Sequence, residues 1–304
     1  MTDDPKPGAD GETLPPESDE GEGGEEPPRP LPVAVRLFLI PFMIVAACAV
    51  VVLIYRLLST GEQSAADYLA EIRSGGGHRR WQAAYELSRV LGREGAPRDP
   101  RLAPEMTRLF LDSAGRDPLV RRYLALSLGR IGAREAAPAL IEALDDSDAE
   151  TRVYAAWALG ALGDSSAVKP LAARASDADP GMRKVVAYAL GALGANSSRP
   201  ELRAMLEDPV HDVRWNAAVA LARLGDDSGR TILAQMIDRV YLRSVPEMTA
   251  EQQDEVVLNG VRGIDLLGAA GFEAELLALA ERDPSPRVRV AADEARRRRK
   301  SAGA

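Results

Sequence analysis

The sequence predicts an all-α protein whose larger part is a right-handed α-solenoid of about six to seven helical hairpins. Three observations lead to this fold class. Apolar residues make up 46% of the chain but aromatic residues only 5%, a balance that favours helices over β-sandwiches. A repeat of constant length runs through the middle of the chain. One long uncharged segment near the N-terminus predicts a transmembrane helix ahead of the solenoid.

Residues 1–32 form an acidic tail that we expect to be disordered. They contain ten carboxylates and two basic residues, which carry the whole formal charge of −8, while the rest of the chain balances to zero. Proline and glycine are frequent there and large apolar residues are scarce, so the tail cannot bury enough surface to offset the entropy lost on ordering. The tail is therefore predicted to be a solvated spacer, with an acidic docking tail as the alternative.

Residues 37–55 form a segment without any charged side chain, bracketed by Arg36 and Arg56. At about 1.5 Å per residue a helix of this length spans roughly 28 Å, close to the thickness of a hydrocarbon core. The segment starts too far from the N-terminus, and is too long, for a cleaved signal peptide. A buried helix of a soluble domain is the remaining alternative. We predict a single transmembrane helix over 33–58, with a bacterial inner membrane as the expected location.

The basic residues on either side of this segment give a weak indication of its orientation. Cytoplasmic flanks of transmembrane helices carry the excess of bases. The C-terminal flank holds more of them, so the solenoid is expected in the cytoplasm. The bases are Arg29 and Arg36 on the N-terminal side, and Arg56, Arg73, Arg79 and Arg80 on the C-terminal side.

The repeat is visible as four similar strings, one of which reads TRVYAAWALGALG. In each string an arginine stands eleven residues before a glycine, and a leucine stands seven residues after the arginine. One spacing that recurs four times is a strong indication of stacked units, so we predict a solenoid over 59–300 and a disordered end at 301–304. The evenly spaced arginines are Arg121, Arg152, Arg183 and Arg214, and the glycines are Gly132, Gly163, Gly194 and Gly225.

Each unit is predicted to pair a longer helix with a shorter one. The longer helix begins after a turn such as Asp117-Pro118, because aspartate accepts hydrogen bonds from free N–H groups and proline suits the first turn. It ends at the glycine, which adopts the left-handed conformation at little cost. A shorter helix follows, for example over 137–144. Two insertions interrupt the period, a proline-rich stretch within 96–104 and about a dozen residues near 239–251.

The recurring pattern, D-P-x-V-R-x-x-A-x-x-A-L-G-x-L-G, resembles HEAT repeats of the short bacterial type, which also occur in phycobilisome lyase subunits. The resemblance extends over roughly residues 64–300 and implies an α-solenoid whose longer helices line a concave surface. It also implies that the repeated arginines are structural, with bonds to neighbouring repeats and to aspartates of the preceding turn. This fold has many roles, so the resemblance indicates architecture far more strongly than function.

Aromatic and arginine side chains on the longer helices are the candidates for contacts with a partner, because these residue types dominate interface hot spots. The best candidate is Trp215, which follows Arg214 and is expected to face outward. The candidate partner-binding surface consists of Trp81, Tyr123, Tyr154, Arg183, Arg214 and Trp215.

The sequence offers little for catalysis or metal binding. A single cysteine excludes an internal disulfide framework and a metal site built from several cysteines. The HEAT-repeat enzyme deoxyhypusine hydroxylase binds iron through His-Glu pairs, but here His78 is followed by arginine and His211 by aspartate. Neither a phosphate-binding glycine loop nor a nucleophile elbow is present in the sequence. We therefore expect a protein that has no catalytic site, no metal and no cofactor.

A run of five bases ends the solenoid and is a candidate contact for an anionic surface such as lipid headgroups. The alternative is a solvated helix end that complements the helix dipole. Residues 57–295 hold 29 bases against 36 acids, so binding to nucleic acid is not expected. The run consists of Arg296, Arg297, Arg298, Arg299 and Lys300.

Together these inferences predict a membrane-anchored, non-catalytic scaffold or adaptor. Its concave helical surface is expected to bind a membrane-associated partner protein, because stacked helix pairs present a long curved face. Two alternatives stay open. One is a bilin lyase or isomerase, an activity found among proteins with short HEAT repeats. The other is a module that binds lipid or nucleic acid through the basic C-terminus.

Overall fold

The structure is a computed structural model in which the chain divides into two compact units, 1–62 and 63–304. The predicted disordered tail 1–32 and part of the proline-rich stretch lie outside the residues that the structure describes. Those residues are 33–59, 64–93, 99, 101–268 and 271–302.

The described part of the first unit is one helix, α1 (Val33–Ser59), which runs one residue past the predicted boundary. Within it, Leu37–Ile54 has a mean hydropathy of 3.1 and is long and apolar enough to cross a membrane. The side chains described in this stretch are almost all exposed, as in Phe38 and Phe42.

The second unit, in the residues that the structure describes, is a stack of seven helical hairpins without a β-strand. The predicted all-α solenoid is therefore confirmed. In each hairpin a first helix precedes a longer second helix, and the sixth hairpin carries an additional short helix, α13. In chain order the helices are α2 (Ala65–Ser74), α3 (Gly77–Leu91), α4 (Leu102–Asp112), α5 (Pro118–Ile131), α6 (Ala137–Glu142), α7 (Ala149–Leu162), α8 (Val168–Ala172), α9 (Pro180–Ala192), α10 (Arg199–Ala204), α11 (His211–Arg223), α12 (Arg230–Ile237), α13 (Arg239–Ser244), α14 (Ala250–Leu266), α15 (Glu273–Arg282) and α16 (Pro286–Ala302).

The helix ends follow the predicted turn chemistry. The Asp117 carboxylate accepts a hydrogen bond from the Val120 N–H, and the Asp179 carboxylate accepts one from the Gly181 N–H at 2.8 Å. The four repeated glycines all have φ between +65° and +73°, the left-handed region in which glycine ends a helix without strain. α16 departs from the prediction because it continues to Ala302, two residues beyond the expected end of the solenoid.

The second helices stack side by side and run in the same direction. The backbones of neighbouring second helices approach closely at three corresponding positions, Gly129, Gly160 and Gly191. A Cβ atom added to any of these glycines would lie within 2.8 Å of an alanine on the next helix. Such close approach requires glycine on one helix and a small residue on the other. The result is a tightly packed row, α3–α5–α7–α9–α11–α14–α16, with buried leucines between it and the first helices.

The repeated arginines bond to the next hairpin or to the turn before their own helix, as the resemblance implied. Arg121 Nε donates to Asp146 in the next hairpin at 2.6 Å, and its Nη1 donates to the Phe110 carbonyl at 2.6 Å. Arg152 Nη1 donates to the Asp146 carbonyl at 2.8 Å. Asp146 therefore accepts hydrogen bonds from arginines of two hairpins, one at its carboxylate and one at its backbone carbonyl.

The second predicted insertion folds into α13 and the loop 245–249, between the two main helices of the sixth hairpin. Arg239 at the start of α13 donates to Asp283 at 2.8 and 2.9 Å and to Asp254 at 2.7 Å. In the loop, Glu247 has φ +59°, a left-handed conformation that is uncommon for residues other than glycine. The insertion is thus an ordered element that is attached to the sixth and seventh hairpins.

Candidate functional site

A groove of about 1630 Å³ runs across the second helices α5, α7, α9, α11 and α14. Its floor is apolar and aromatic, because the residues that face it stand at helical spacing on consecutive hairpins. Trp157, Tyr188 and Val219 occupy the same position in three consecutive repeats, and Val153 and Val185 lie beside them. The groove is therefore a continuous strip of apolar surface along the stack.

One edge of the groove is acidic. It follows the N-terminal ends of the second helices, where carboxylates also complement the helix dipoles. Glu150 lies in the first turn of α7 and Glu251 in the first turn of α14, while Glu247 extends the edge into the inserted loop. All three are exposed, and none of them forms an ion pair within 4 Å among the residues that the structure describes. Arg122 is near enough to Glu150 to interact with it electrostatically, but its guanidinium is already bonded to Asp148.

Two further carboxylates on this edge have cationic partners. Asp212 is 3.1 Å from Lys184 Nζ, and Glu255 is 2.9 Å from Arg287. All four of these side chains are about half exposed or more, so neither pair neutralises the edge in a buried environment. The edge therefore keeps an excess of negative charge.

The opposite edge is basic and follows the C-terminal ends of the same helices. Arg130 lies in the last turn of α5 and Arg223 in the last turn of α11, while Arg262 lies one turn before the end of α14. The Arg223 guanidinium stacks over the Tyr188 ring at 5.7 Å. Because the second helices are parallel, the groove has carboxylates along one side, guanidinium groups along the other and apolar side chains between.

The inserted segment borders one end of the groove. Val245, Pro246 and Met248 line it from the loop, and Tyr241 on α13 contacts His211 on α11. The Tyr241 hydroxyl lies 3.2 Å from His211 Nδ1. The contact fixes the insertion against α11 and gives the groove a boundary.

The surroundings of His211 favour the neutral form of its imidazole. Burial and the adjacent Arg214 guanidinium lower the pKa of His211 below its ordinary value, against a smaller opposing effect of Asp212. Arg214 Nη2 lies 2.5 Å from His211 Nδ1, so Nδ1 is the acceptor. His78 lies in the first hairpin and contacts Trp81 and Gln82 instead, so the two histidines belong to separate clusters.

Trp215 does not face outward as the sequence suggested. Its side chain reaches the floor of the groove but is only 4% exposed, within an apolar cluster that includes Met236 and Leu242. The insertion accounts for this difference, because Leu242 on α13 contributes to the cluster and Tyr241 covers the neighbouring His211. Trp215 is therefore a core residue.

The side chains of two other candidates, Arg183 and Arg214, form hydrogen bonds within the solenoid. Arg183 donates to the Asp208 carboxylate at 2.6 and 3.0 Å and is only 13% exposed. Arg214 donates to the Asp208 carbonyl as well as contacting His211. Arg183 thus bonds to the next hairpin and Arg214 to the turn before its own helix, so the expectation that they are free to contact a partner is corrected.

The remaining candidates are half-buried aromatic residues. Tyr154 lines the groove and its ring lies 6.5 Å from that of Tyr123, which in turn meets Tyr85 edge-on at 5.3 Å. Trp81 packs against the core of the first hairpins, where its Nε1 donates to His78 at 3.2 Å. Of the six predicted residues, the structure brings Tyr154 and Trp215 to the groove.

Sequence reasoning missed the two charged edges and the loop at the end of the groove. The edges were detectable in principle, because Glu150, Asp212 and Glu255 stand at equivalent positions when the repeats are aligned on their closing glycines. The contribution of the loop was not detectable, since an insertion breaks the period that made the other contacts predictable.

The basic C-terminal run is extensively paired with carboxylates. Arg297 is 2.7 Å from Asp293, Arg298 is 3.1 Å from Asp265, and Arg299 pairs with Glu273. Arg296 also pairs with Asp293, at 3.5 Å. The Lys300 side chain lies outside the described part of the chain. Local carboxylates thus offset much of the charge that an anionic surface would meet.

Comparisons with known proteins agree with this architecture. A family model described as HEAT repeats matches residues 107–191 and 168–244. The protein is an α-solenoid, and its central hairpins are similar to HEAT repeats. A search of curated proteins found no match.

One solved structure supports the same fold. The complex of CpcE and CpcF of phycocyanin lyase from Nostoc sp. PCC7120 is 22% identical, with a TM-score of 0.58 over 78% of this chain and 88% of that one. A designed armadillo repeat protein in complex with the peptide (KR)4 is 15% identical, with a TM-score of 0.42 over 77% of this chain and 98% of that one. The first of these likenesses supports the fold alone.

Proposed function

We propose that this protein is a membrane-anchored, non-catalytic scaffold that binds a partner protein in the groove of its solenoid. The observation that carries the proposal is the groove itself, with its apolar floor between two charged edges. Concave surfaces of stacked helical repeats are typical binding surfaces, and this one is lined mainly by half-buried aromatic and aliphatic side chains. Trp157, Tyr188 and Arg223 are of the residue types that dominate binding energy in protein interfaces.

The solenoid gives the groove a rigid framework. Its floor residues stand on helices that are joined by backbone-to-backbone contacts and by arginine bonds between hairpins. A preformed surface loses little conformational entropy when a partner binds. This supports binding as the main role of the groove.

Membrane anchoring is supported by α1, whose central stretch is long and apolar enough to span a bilayer. The greater number of bases on its C-terminal side favours a cytoplasmic solenoid in the inner membrane of a bacterium. The partner would then be a membrane protein or a cytoplasmic protein that is recruited to the membrane.

Crosslinked capture of the full-length protein from its native membranes tests this proposal. We expect one protein to co-purify at an abundance comparable to that of the bait. A double variant on the two edges, Glu251→Arg with Arg262→Glu, should lose this protein because both changed side chains are exposed beside the groove. The matched control is Leu111→Ala on the first helix α4, where the side chain is 45% exposed.

Each result of the capture has a defined meaning. Loss of the partner from the edge variant and retention by the control support the proposal. Absence of any enriched protein, or equal capture by all three forms, contradicts it. In that case an absorbance change on mixing the protein with a bilin would favour the lyase alternative. Salt-sensitive binding to anionic vesicles that requires residues 296–304 would favour the lipid-binding alternative.

A further inference from the structure

We infer that the groove binds an amphipathic helix of the partner whose two flanks carry opposite charge, and that the two edges of the groove set the direction of that helix. This inference rests on the proposed function and deepens it. It concerns the kind of segment that is bound, the charges on that segment and the way it lies along the stack.

The apolar floor favours a helix over an extended chain. An extended segment presents its own backbone N–H and C=O groups, and each of these needs a partner when it is buried. The floor offers few such partners, because Val153, Val185 and Val219 have none. The Trp157 indole N–H and the Tyr188 hydroxyl are the polar groups of the aromatic residues there, and one Asn216 N–H already donates to the Asp212 carbonyl at 2.8 Å. A helix satisfies its backbone internally and presents only side chains, as in other helix-in-groove interfaces.

The dimensions of the groove set the length of the bound segment. It crosses five second helices, from α5 to α14. With about 9 Å between neighbouring helix axes, four steps give roughly 36 Å, which a helix of about 24 residues covers. The loop 245–249 lies at the α14 end and limits the segment there.

The two edges require opposite charges on the two flanks of this helix. Glu150, Glu247 and Glu251 face one flank and form no ion pair within 4 Å in the described residues, so lysine or arginine is complementary there. Arg223 and Arg262 face the other flank, where glutamate or aspartate is complementary. Like charges brought together in a partly desolvated groove oppose binding, which makes each edge selective as well as attractive.

This arrangement determines the direction of the helix. An amphipathic helix can lie on the floor with its N-terminus at either end of the groove, and turning it end for end exchanges the flanks. The charges of the two edges distinguish these two orientations. The acidic N-terminal tail of this chain is not complementary to the acidic edge, since it carries ten carboxylates and two bases.

Synthetic helical peptides test the inference on the full-length protein in detergent. Three peptides of about 24 residues share one leucine stripe and carry a photo-crosslinker at the N-terminus. The first has lysine on one flank and glutamate on the other, the second has these flanks exchanged, and the third has glutamine on both. Binding is measured by fluorescence anisotropy, and the crosslinked residues are identified by mass spectrometry.

We expect the two charged peptides to bind with similar affinity and to crosslink at opposite ends of the groove. One should label the inserted loop and the other the α5 end. The glutamine peptide should bind about tenfold more weakly and label both ends, because two or three partly exposed charge pairs are lost. In a variant with Glu150→Arg, Glu251→Arg, Arg223→Glu and Arg262→Glu, each charged peptide should exchange its labelled end.

Other results overturn the inference. Binding of none of the peptides, labelling outside the groove, or equal labelling of both ends by the charged peptides would each contradict it. The capture experiment keeps this failure separate from a failure of the proposed function. If a captured partner still depends on the groove while the peptides fail, the scaffold proposal stands and the occupant is not an amphipathic helix.

Discussion

The guanidinium of Arg183 on α9 makes two hydrogen bonds to the carboxylate of Asp208, which lies in the turn before α11 in the next hairpin. The same aspartate caps its own turn by accepting a bond from the Val210 N–H at 2.9 Å. Its backbone carbonyl accepts from Arg214 at 2.5 Å. One residue therefore joins the fourth hairpin to the fifth and orders the first turn of the helix that follows.

Replacing Arg183 by methionine should destabilise the solenoid by about 3 kcal/mol, because it leaves the largely buried Asp208 carboxylate without its cationic partner. The measurement is urea unfolding of the full-length protein in detergent, followed by circular dichroism. Arg287→Met is the matched control, since it breaks a pair with Glu255 in which the side chains are 64% and 53% exposed. The control should cost less than about 1 kcal/mol. Equal losses in the two variants would contradict the structural role of Arg183.

Acid should weaken the joints between hairpins. Hydrogen bonds from Arg122 hold the pKa of Asp148 well below the ordinary value, and bonds from Arg183 lower the pKa of Asp208 in the same way. The unfolded chain therefore binds protons more readily than the folded chain at these sites. Their contribution to stability is complete above the unfolded pKa of about 3.9 and is lost as the pH falls below it.

Unfolding midpoints measured from neutral pH down to about pH 2.5 test this expectation. The wild-type midpoint should fall steeply below about pH 4. Asp148→Asn should be less stable at neutral pH but should lose less on acidification, because the shifted group is absent. Asp227→Asn, at an exposed position, serves as the control and should follow the wild type at every pH. Parallel curves for wild type and Asp148→Asn would rule out this linkage.

Adding one methyl group between second helices should destabilise the stack. In Gly160→Ala the new Cβ would lie 2.7 Å from the Ala189 Cα, so the backbones of α7 and α9 must move apart. Overpacking of this kind costs about 1–3 kcal/mol. Gly77→Ala is the matched control, because no atom lies within 4 Å of its new Cβ. The control should be neutral or slightly stabilising. If Gly160→Ala were equally stable, the close contact between α7 and α9 would not be needed for the stack.

The buried position of Trp215 leads to a prediction that separates structure from binding. Trp215→Ala should lower the free energy of unfolding by about 3 kcal/mol, since it opens a cavity in a packed cluster. The variant Arg262→Glu, on an exposed side chain, should leave stability unchanged within about 0.5 kcal/mol. Thermal unfolding monitored by circular dichroism compares the two. If Trp215→Ala were as stable as the wild type, the core role of Trp215 would be contradicted and a contact with the partner would be favoured.

The repeat made much of the fold predictable. A constant period determines which residues occupy equivalent positions, so the closing glycines and the positions of the repeated arginines followed from the period. The aspartate caps followed from turn chemistry, and the structural role of the arginines from the resemblance to HEAT repeats. The surroundings of Trp215 could not be predicted, because they depend on α13, which belongs to an insertion outside the period. Arg239 illustrates the same limit, since it bonds to Asp283 across 44 residues from a position that has no counterpart in the other hairpins.

The site was predictable only in outline. Charged residues at helix ends normally complement helix dipoles, so Glu150 or Arg223 alone indicates nothing beyond a helix terminus. They become two edges of one groove only because parallel second helices align all their N-termini on one side. That alignment is a property of the assembled stack.

The most direct test of the central claim uses the distribution of lysine in the chain. There are four lysines, of which Lys184 lies on the groove and Lys169 is exposed on the first helix α8. A short amine-reactive crosslinker applied to native membranes should link the partner to Lys184, and Lys184→Arg should abolish that link while Lys169→Arg leaves it intact. A partner that is linked through Lys169 and not through Lys184 would contradict binding in the groove.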